Sequence, residues 1–185
     1  MDDSAIELQL GDITSLAVDA VVNSAKNSLT GGGGVDGAIH RAAGRELLLH
    51  CMRLPAAEIG DCVVTPGFGL KAPWIIHAVA PKWRGGGERE LECLANCYRK
   101  SLDIALEEHF KSIAFPCIGT GKYRIPPQLA AETALAVLRA HPFAGKVVLC
   151  TFTASEYAIY AELLGRTVKL QTEIPAAFDI SFICK

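Results

Sequence analysis

Ile6, Leu8 and Leu10 alternate with polar residues, which predicts a strand over 5–10 with one buried face. A second apolar run, Ala20-Val21-Val22, reads as a short buried strand followed by a polar segment from Asn23 to Thr30. A helix is expected to start at Val35-Asp36 and to continue through Arg45–Met52 as far as Leu54-Pro55. Cys62–Thr65 and the near-continuously apolar Trp74–Val79 predict two more strands, the latter buried on both faces. Leu91, Leu94, Tyr98, Leu102 and Ala105 keep helical spacing, giving the longest helix, Glu88 to His109. Ser112–Phe115 is a strand, Pro127 opens a helix, Lys146–Cys150 is a strand, and a last helix runs from a Ser155 cap to Leu164 and Gly165. Short strands alternating with helices imply an α/β fold, a mostly parallel sheet sandwiched between helices, in which ligands bind outside the carboxyl ends of strands.

Two glycine-bearing loops and one turn fall at such ends. Gly31 to Gly34 lie between the strand at Ala20–Val22 and the apolar positions Ala38-Ile39 and Ala42-Ala43. A linker would be flanked by more Ser, Gly or charge. A strand, a glycine loop and a helix start instead form an anion site, where backbone approaches a phosphate and the helix offers unpaired N–H groups. The second loop runs Cys117-Ile118-Gly119-Thr120-Gly121-Lys122-Tyr123-Arg124-Ile125-Pro126. It is no P-loop, because Pro116 stands where the first glycine belongs and Tyr123 follows Lys122 where Ser or Thr is required. Two glycines and an aromatic still suit a phosphate-binding turn with a face for a sugar or base. Asp12, in Gly11-Asp12-Ile13-Thr14, reads from its position alone as a turn former. Asp36 could simply complement the helix dipole, yet a carboxylate beside a phosphate is costly unless it performs a task.

Composition narrows the classes. The chain has 185 residues, half of them hydrophobic and 21% charged, which suits one globular domain with a sizeable core. No apolar stretch reaches the length of a membrane span, and the start MDDSAIE lacks a basic signal-peptide region. A net charge of −2 argues against a broad nucleic-acid surface. Seven cysteines, mostly inside apolar runs, read as reduced thiols of a cytoplasmic or nuclear protein. Neither they nor the five histidines have zinc spacing, and nothing in the sequence supplies a base for Cys117 as a nucleophile.

The ordered succession of Gly11–Thr14, Asp19–Asn23, Gly31–Gly44, Gly60-Asp61, Ile76–Pro81 and the second loop resembles macrodomains, and within them the MacroD-type branch that includes O-acetyl-ADP-ribose deacetylases. The resemblance covers the chain to about Leu164, so 1–165 is expected to be the macrodomain and 166–185 a C-terminal extension. It implies a three-layer sandwich, a monomer without metal or cofactor, and ADP-ribose, an ADP-ribosylated protein or O-acetyl-ADP-ribose as partner. Asp12 and the Ile13 backbone would hold the adenine, with Phe152 against it. Gly33, Gly34 and Val35 would line the diphosphate on one side, and Gly119, Thr120, Gly121 and Lys122 on the other. Asn23, Lys26 and Asp36 would sit at the distal ribose with Tyr123 packed beside it, Asp36 orienting a water. The implied activity is hydrolysis of ADP-ribosyl bonds; a reader that binds without turnover is the alternative. The chain departs from the family where Asn-Ala-Ala-Asn becomes Asn23-Ser24-Ala25-Lys26, and where Lys122 and Arg124 replace an apolar residue and a glycine.

Overall fold

The computed structural model describes residues 2–86 and 88–166. Six strands form one sheet: β1 (Ile6–Leu10), β2 (Ala20–Ala25), β3 (Cys62–Pro66), β4 (Trp74–Val79), β5 (Ser112–Phe115) and β6 (Lys146–Thr151). Their order is β1-β6-β5-β2-β4-β3, and every neighbouring pair is parallel except the antiparallel β3 and β4. The helices are α1 (Gly34–Ala43), α2 (Arg45–Cys51), α3 (Glu88–Glu107), α4 (Pro127–Ala140) and α5 (Ala154–Leu163). This is the mixed, mostly parallel α/β/α sandwich expected from the sequence.

Alternation along the strands divides the core into two layers. Val22, Ile76, Ile113, Phe115 and Leu149 face one side, where Leu94, Tyr98 and Leu102 of α3, Leu135 and Leu138 of α4 and Tyr160 of α5 cover them. Val21, Ile75, Ala114 and Val148 face the other, under Ile39 and Ala43 of α1 and Leu47 and Cys51 of α2. Both surfaces of the central strands are thus apolar and buried, as parallel sheets require.

Three expectations need correction. The helix read as continuous from Val35 to Leu54 is broken at Gly44, whose φ of +91° no helix interior accommodates, and its second part ends at Cys51. The strand read as ending at Val22 runs to Ala25, with Asn23 wholly buried inside it. The cap of α5 is Thr153, not Ser155: its hydroxyl accepts from the Glu156 N–H and the Glu156 carboxylate accepts from the Thr153 N–H, a reciprocal capping box. Apart from Arg166, the C-terminal extension lies outside the described residues. Arg166 itself donates to the carbonyls of Asp3 and Ile6, at the amino end of β1. No helix among the described residues is long and apolar enough to cross a membrane.

Candidate functional site

The parallel strands deliver their carboxyl ends to one edge of the sheet, and a cleft of about 590 Å³ opens there. The glycine run and the start of α1 form one wall through Gly32, Gly33, Gly34 and Val35. The second loop forms the other through Gly119, Gly121, Lys122 and Tyr123, and Asp36 and Lys26 face the same space. These ten residues, all singled out in the sequence, therefore meet in one cavity.

On the first wall, Gly33 takes the N-cap position of α1 without a side-chain capping bond, so the first-turn N–H groups are left for another acceptor. Gly33 itself has an extended backbone, φ −100°, and an added Cβ would meet nothing within 4 Å. What it provides is an uncovered backbone rather than an unusual conformation. On the second wall glycine is required: Gly119 has φ +80°, and an added Cβ would lie 2.5 Å from Ile125 Cδ1. Its N–H donates to the Ser24 hydroxyl at 3.3 Å, tying the loop to β2. The Trp83 N–H donates to the Tyr123 carbonyl at 2.8 Å, tying it to the segment after β4. Arg124, where the family resemblance expects glycine, keeps the glycine-like φ of +60°.

Asp36 is 6% exposed and belongs to the first turn of α1, but its carboxylate does not cap that turn. Its Oδ1 accepts from Asn23 Nδ2 at 2.8 Å. A hydrogen bond to a buried carboxylate contributes on the order of 2 kcal/mol, so the acid is held in place rather than free to rotate. Asn23 Nδ2 also lies 3.1 Å from Nδ1 of His77, and His77 Nε2 lies 2.9 Å from the Thr65 hydroxyl. The two strands explain this proximity: Asn23 of β2 and His77 of β4 are register partners. Burial pushes His77 down to about 3, with His40 and His50 adding to the effect, so the imidazole is neutral at ordinary pH. His40, one helical turn after Asp36, has Nε2 3.7 Å from the carboxylate. Burial lowers its pKa despite the opposing attraction of Asp36. Across the cleft, burial raises the Tyr123 phenol and the Asp36 charge adds to the rise.

The remaining sequence candidates occupy other places. Asp12 is an exposed turn former, its Oδ1 accepting from the N–H and hydroxyl of Thr14 at 2.9 and 2.8 Å. The Ile13 side chain is buried in the core under α1. Phe152, 63% exposed, follows β6 directly, and β6 pairs with β1, so Asp12 and Phe152 stand at neighbouring strand ends beyond the cleft proper. The Thr120 side chain turns away from the cleft, its hydroxyl donating to the Cys117 carbonyl and the Glu156 carboxylate at 3.0 and 2.9 Å. Cys117 does line the cleft, but burial and the neighbouring Glu156 raise its thiol pKa far above neutral, which leaves it protonated and a poor nucleophile.

Sequence reasoning missed the Thr65–His77 pair, Ser24 and Lys82. A histidine inside Trp74–Val79 was an available signal, since a polar residue in a doubly buried strand must find a partner. Lys82 lines the cleft with Lys26 and Lys122, and none of these three exposed cations makes an ion pair among the described residues. Among the described residues no group of three or more His, Cys, Asp or Glu is placed to hold a metal ion.

Comparison with known proteins agrees with this geometry. The Macro domain family model matches residues 22–134. A macro domain-containing protein of Ralstonia nicotianae is 52% identical over 155 residues, covering 83% of this chain and 91% of that protein. The ADP-ribose glycohydrolase MACROD2 of Mus musculus is 44% identical over 167 residues, 86% of this chain but 35% of that longer protein. Among solved structures, an Oceanobacillus iheyensis macrodomain with ADP superimposes with a TM-score of 0.84 at 39% identity, covering 86% of this chain and 90% of that one. A Trypanosoma brucei macrodomain in complex with ADP-ribose gives 0.80 at 37%, covering 87% and 69%. The chain belongs to the macrodomain family.

Proposed function

We propose that this macrodomain binds ADP-ribose in the cleft and hydrolyses the ester that joins its distal ribose to a carboxylate, either of a modified Asp or Glu side chain or of acetate. The strand order supplies a linear map along the carboxyl edge. Adenine fits at Asp12 and Phe152 beside β1 and β6, the diphosphate between the glycine run and the second loop, and the distal ribose at β2 beside Asp36. The relatives and structural neighbours support this reading: one is named an ADP-ribose glycohydrolase and others hold ADP or ADP-ribose.

The observation that carries hydrolysis is Asp36, a buried carboxylate facing the cleft and fixed by Asn23. A carboxylate in that position accepts a hydrogen bond from water and aims its lone pair at the bound ester. Water is consumed, the ester bond breaks, and ADP-ribose and the free acid leave. The two loops contribute by holding the substrate in one orientation during the step.

One observation favours the reader instead. Lys26 is exposed at the cleft where the family resemblance expects an asparagine. An ammonium donates only and prefers anions, so it constrains a neutral ribose hydroxyl less than an amide does. Turnover of a protein mono-ADP-ribosylated on Asp or Glu, measured beside calorimetric binding of ADP-ribose and of AMP, decides between the readings. Release of ADP-ribose supports the hydrolase; binding without release supports the reader. AMP binding as tightly as ADP-ribose would sink the diphosphate cradle common to both.

A further inference from the structure

Asn23, His77 and Thr65 are each 1% exposed or less, and together with Asp36 they form a continuous chain of hydrogen bonds running from the cleft into the sheet. One direction of donation satisfies every contact in that chain. The Asp36 carboxylate can only accept, so the Asn23 NH2 faces it, and at the far end the Pro66 carbonyl, 3.2 Å from the Thr65 hydroxyl, can take the one proton of that hydroxyl. In this arrangement the Thr65 hydroxyl accepts from His77, with the imidazole proton on Nε2. Nδ1 of the neutral ring is therefore a lone pair, and the Asn23 group facing it must be a donor. The same NH2 donates its other proton to Asp36, and Asn23 Oδ1 is left as a buried acceptor without a hydrogen-bond partner.

The reverse arrangement is unfavourable at each step. With the proton on Nδ1, the Asn23 amide would have to present its oxygen to the ring. That oxygen would then lie 2.8 Å from the Asp36 carboxylate, acceptor against acceptor in a buried space. The amide orientation is thus set from both ends, by the Asp36 carboxylate and, two strands away, by Thr65 on β3.

We propose that Thr65 and His77 are positioning residues of this site: by favouring the Nε2-protonated tautomer of His77 they hold the Asn23 amide with its NH2 toward Asp36, and so hold the Asp36 carboxylate in place at the cleft. The proposal rests on the hydrolase reading given above. Asn23, His77 and Thr65 all lie behind the cleft lining, and Asn23 links the other two to Asp36 by hydrogen bonds.

Thr65→Val is the test, because it keeps the shape and removes the acceptor. With Nε2 no longer anchored, the ring loses its tautomer preference and the Asn23 amide loses one of the two partners that hold it. Turnover of the ADP-ribosyl carboxylate is expected to fall roughly 10- to 100-fold, as for a small misplacement of a reacting group, while ADP-ribose affinity stays within about threefold. Thr65→Ser restores the hydroxyl and most of the turnover. Nitrogen-15 NMR of the wild-type ring, which needs no variant, is expected to show the proton on Nε2. A wild-type ring protonated on Nδ1 overturns the proposal, as does a Thr65→Val protein that turns over at the wild-type rate. A wild-type protein that binds ADP-ribose but never releases it from a carboxylate overturns the hydrolase reading itself, and the positioning role with it.

Discussion

Replacing Gly33 by glutamate separates a phosphate cradle from a mere connector. The backbone there is extended, and an added Cβ meets no atom within 4 Å, so the fold should accept the side chain. Substitution of glycine at an N-cap changes stability by about 1 kcal/mol or less, and the thermal midpoint should barely move. Binding is a different matter. A carboxylate about 5 Å from a diphosphate charge, at an effective dielectric of about 20, is repelled by roughly 3 kcal/mol per charge. The side chain is free to swing toward solvent and shed part of this, leaving an expected loss of about 2–4 kcal/mol, or roughly 30- to 1,000-fold in Kd. Gly33→Gln has nearly the same bulk without the charge and should cost no more than about tenfold; Gly33→Ala should cost less again. Calorimetry with ADP-ribose at two salt concentrations completes the test, since only the charge component is screened. Equal affinities for the glutamine and glutamate variants would refute the electrostatic reasoning. A folded Gly33→Glu protein that binds normally would remove the glycine run from the site altogether.

Three further outcomes are expected. Asp36→Ala should reduce hydrolysis far more than ADP-ribose binding if the carboxylate works on the chemical step; equal losses in single-turnover rate and Kd would make it a ligand contact only. Lys26→Asn should raise hydrolysis of an ADP-ribosyl carboxylate and leave ADP-ribose affinity unchanged or weaker, and a slower variant would show that Lys26 serves the chemistry itself. The His77 pKa, about 3 in the folded protein against 6.5 when unperturbed, means that the unfolded chain takes up a proton that the native ring refuses. Stability contributed by the neutral ring is therefore full above pH 6.5 and lost on acidification toward 3. Between pH 7 and 5 this should cost the wild type about 2 kcal/mol that His77→Gln does not lose. Parallel urea midpoints for the two proteins would contradict it.

Much of this molecule was legible in the sequence because its central strands are buried on both faces and its loops carry glycine at the carboxyl edge of the sheet. The glycine run and the second loop are local signals, and the carboxyl-edge rule places them together without coordinates. What the sequence concealed is long-range satisfaction of polar groups. Asn23 and Ser24 looked like part of the polar segment after the strand, yet they continue it because Asp36, His77 and the Gly119 N–H supply their partners. His77 looked like an ordinary histidine because its partners are 12 and 54 residues away in the chain. Thr120 shows the same failure in reverse: it lies in the right loop, but Glu156 of α5 claims its hydroxyl. Gly44 broke a helix whose apolar spacing runs on past it, because periodicity does not register a positive φ.

The clamp of Arg166 onto Asp3 and Ile6 has a consequence for handling the protein. It brings the beginning and the end of the described body together at the amino edge of the sheet, opposite the carboxyl edge where the cleft opens. A tether, tag or fused partner joined ahead of Asp3 therefore emerges on the side remote from the cleft and leaves its mouth facing outward. Immobilised through that end, the domain presents its binding face to solution, an orientation suited to capture and pull-down surfaces.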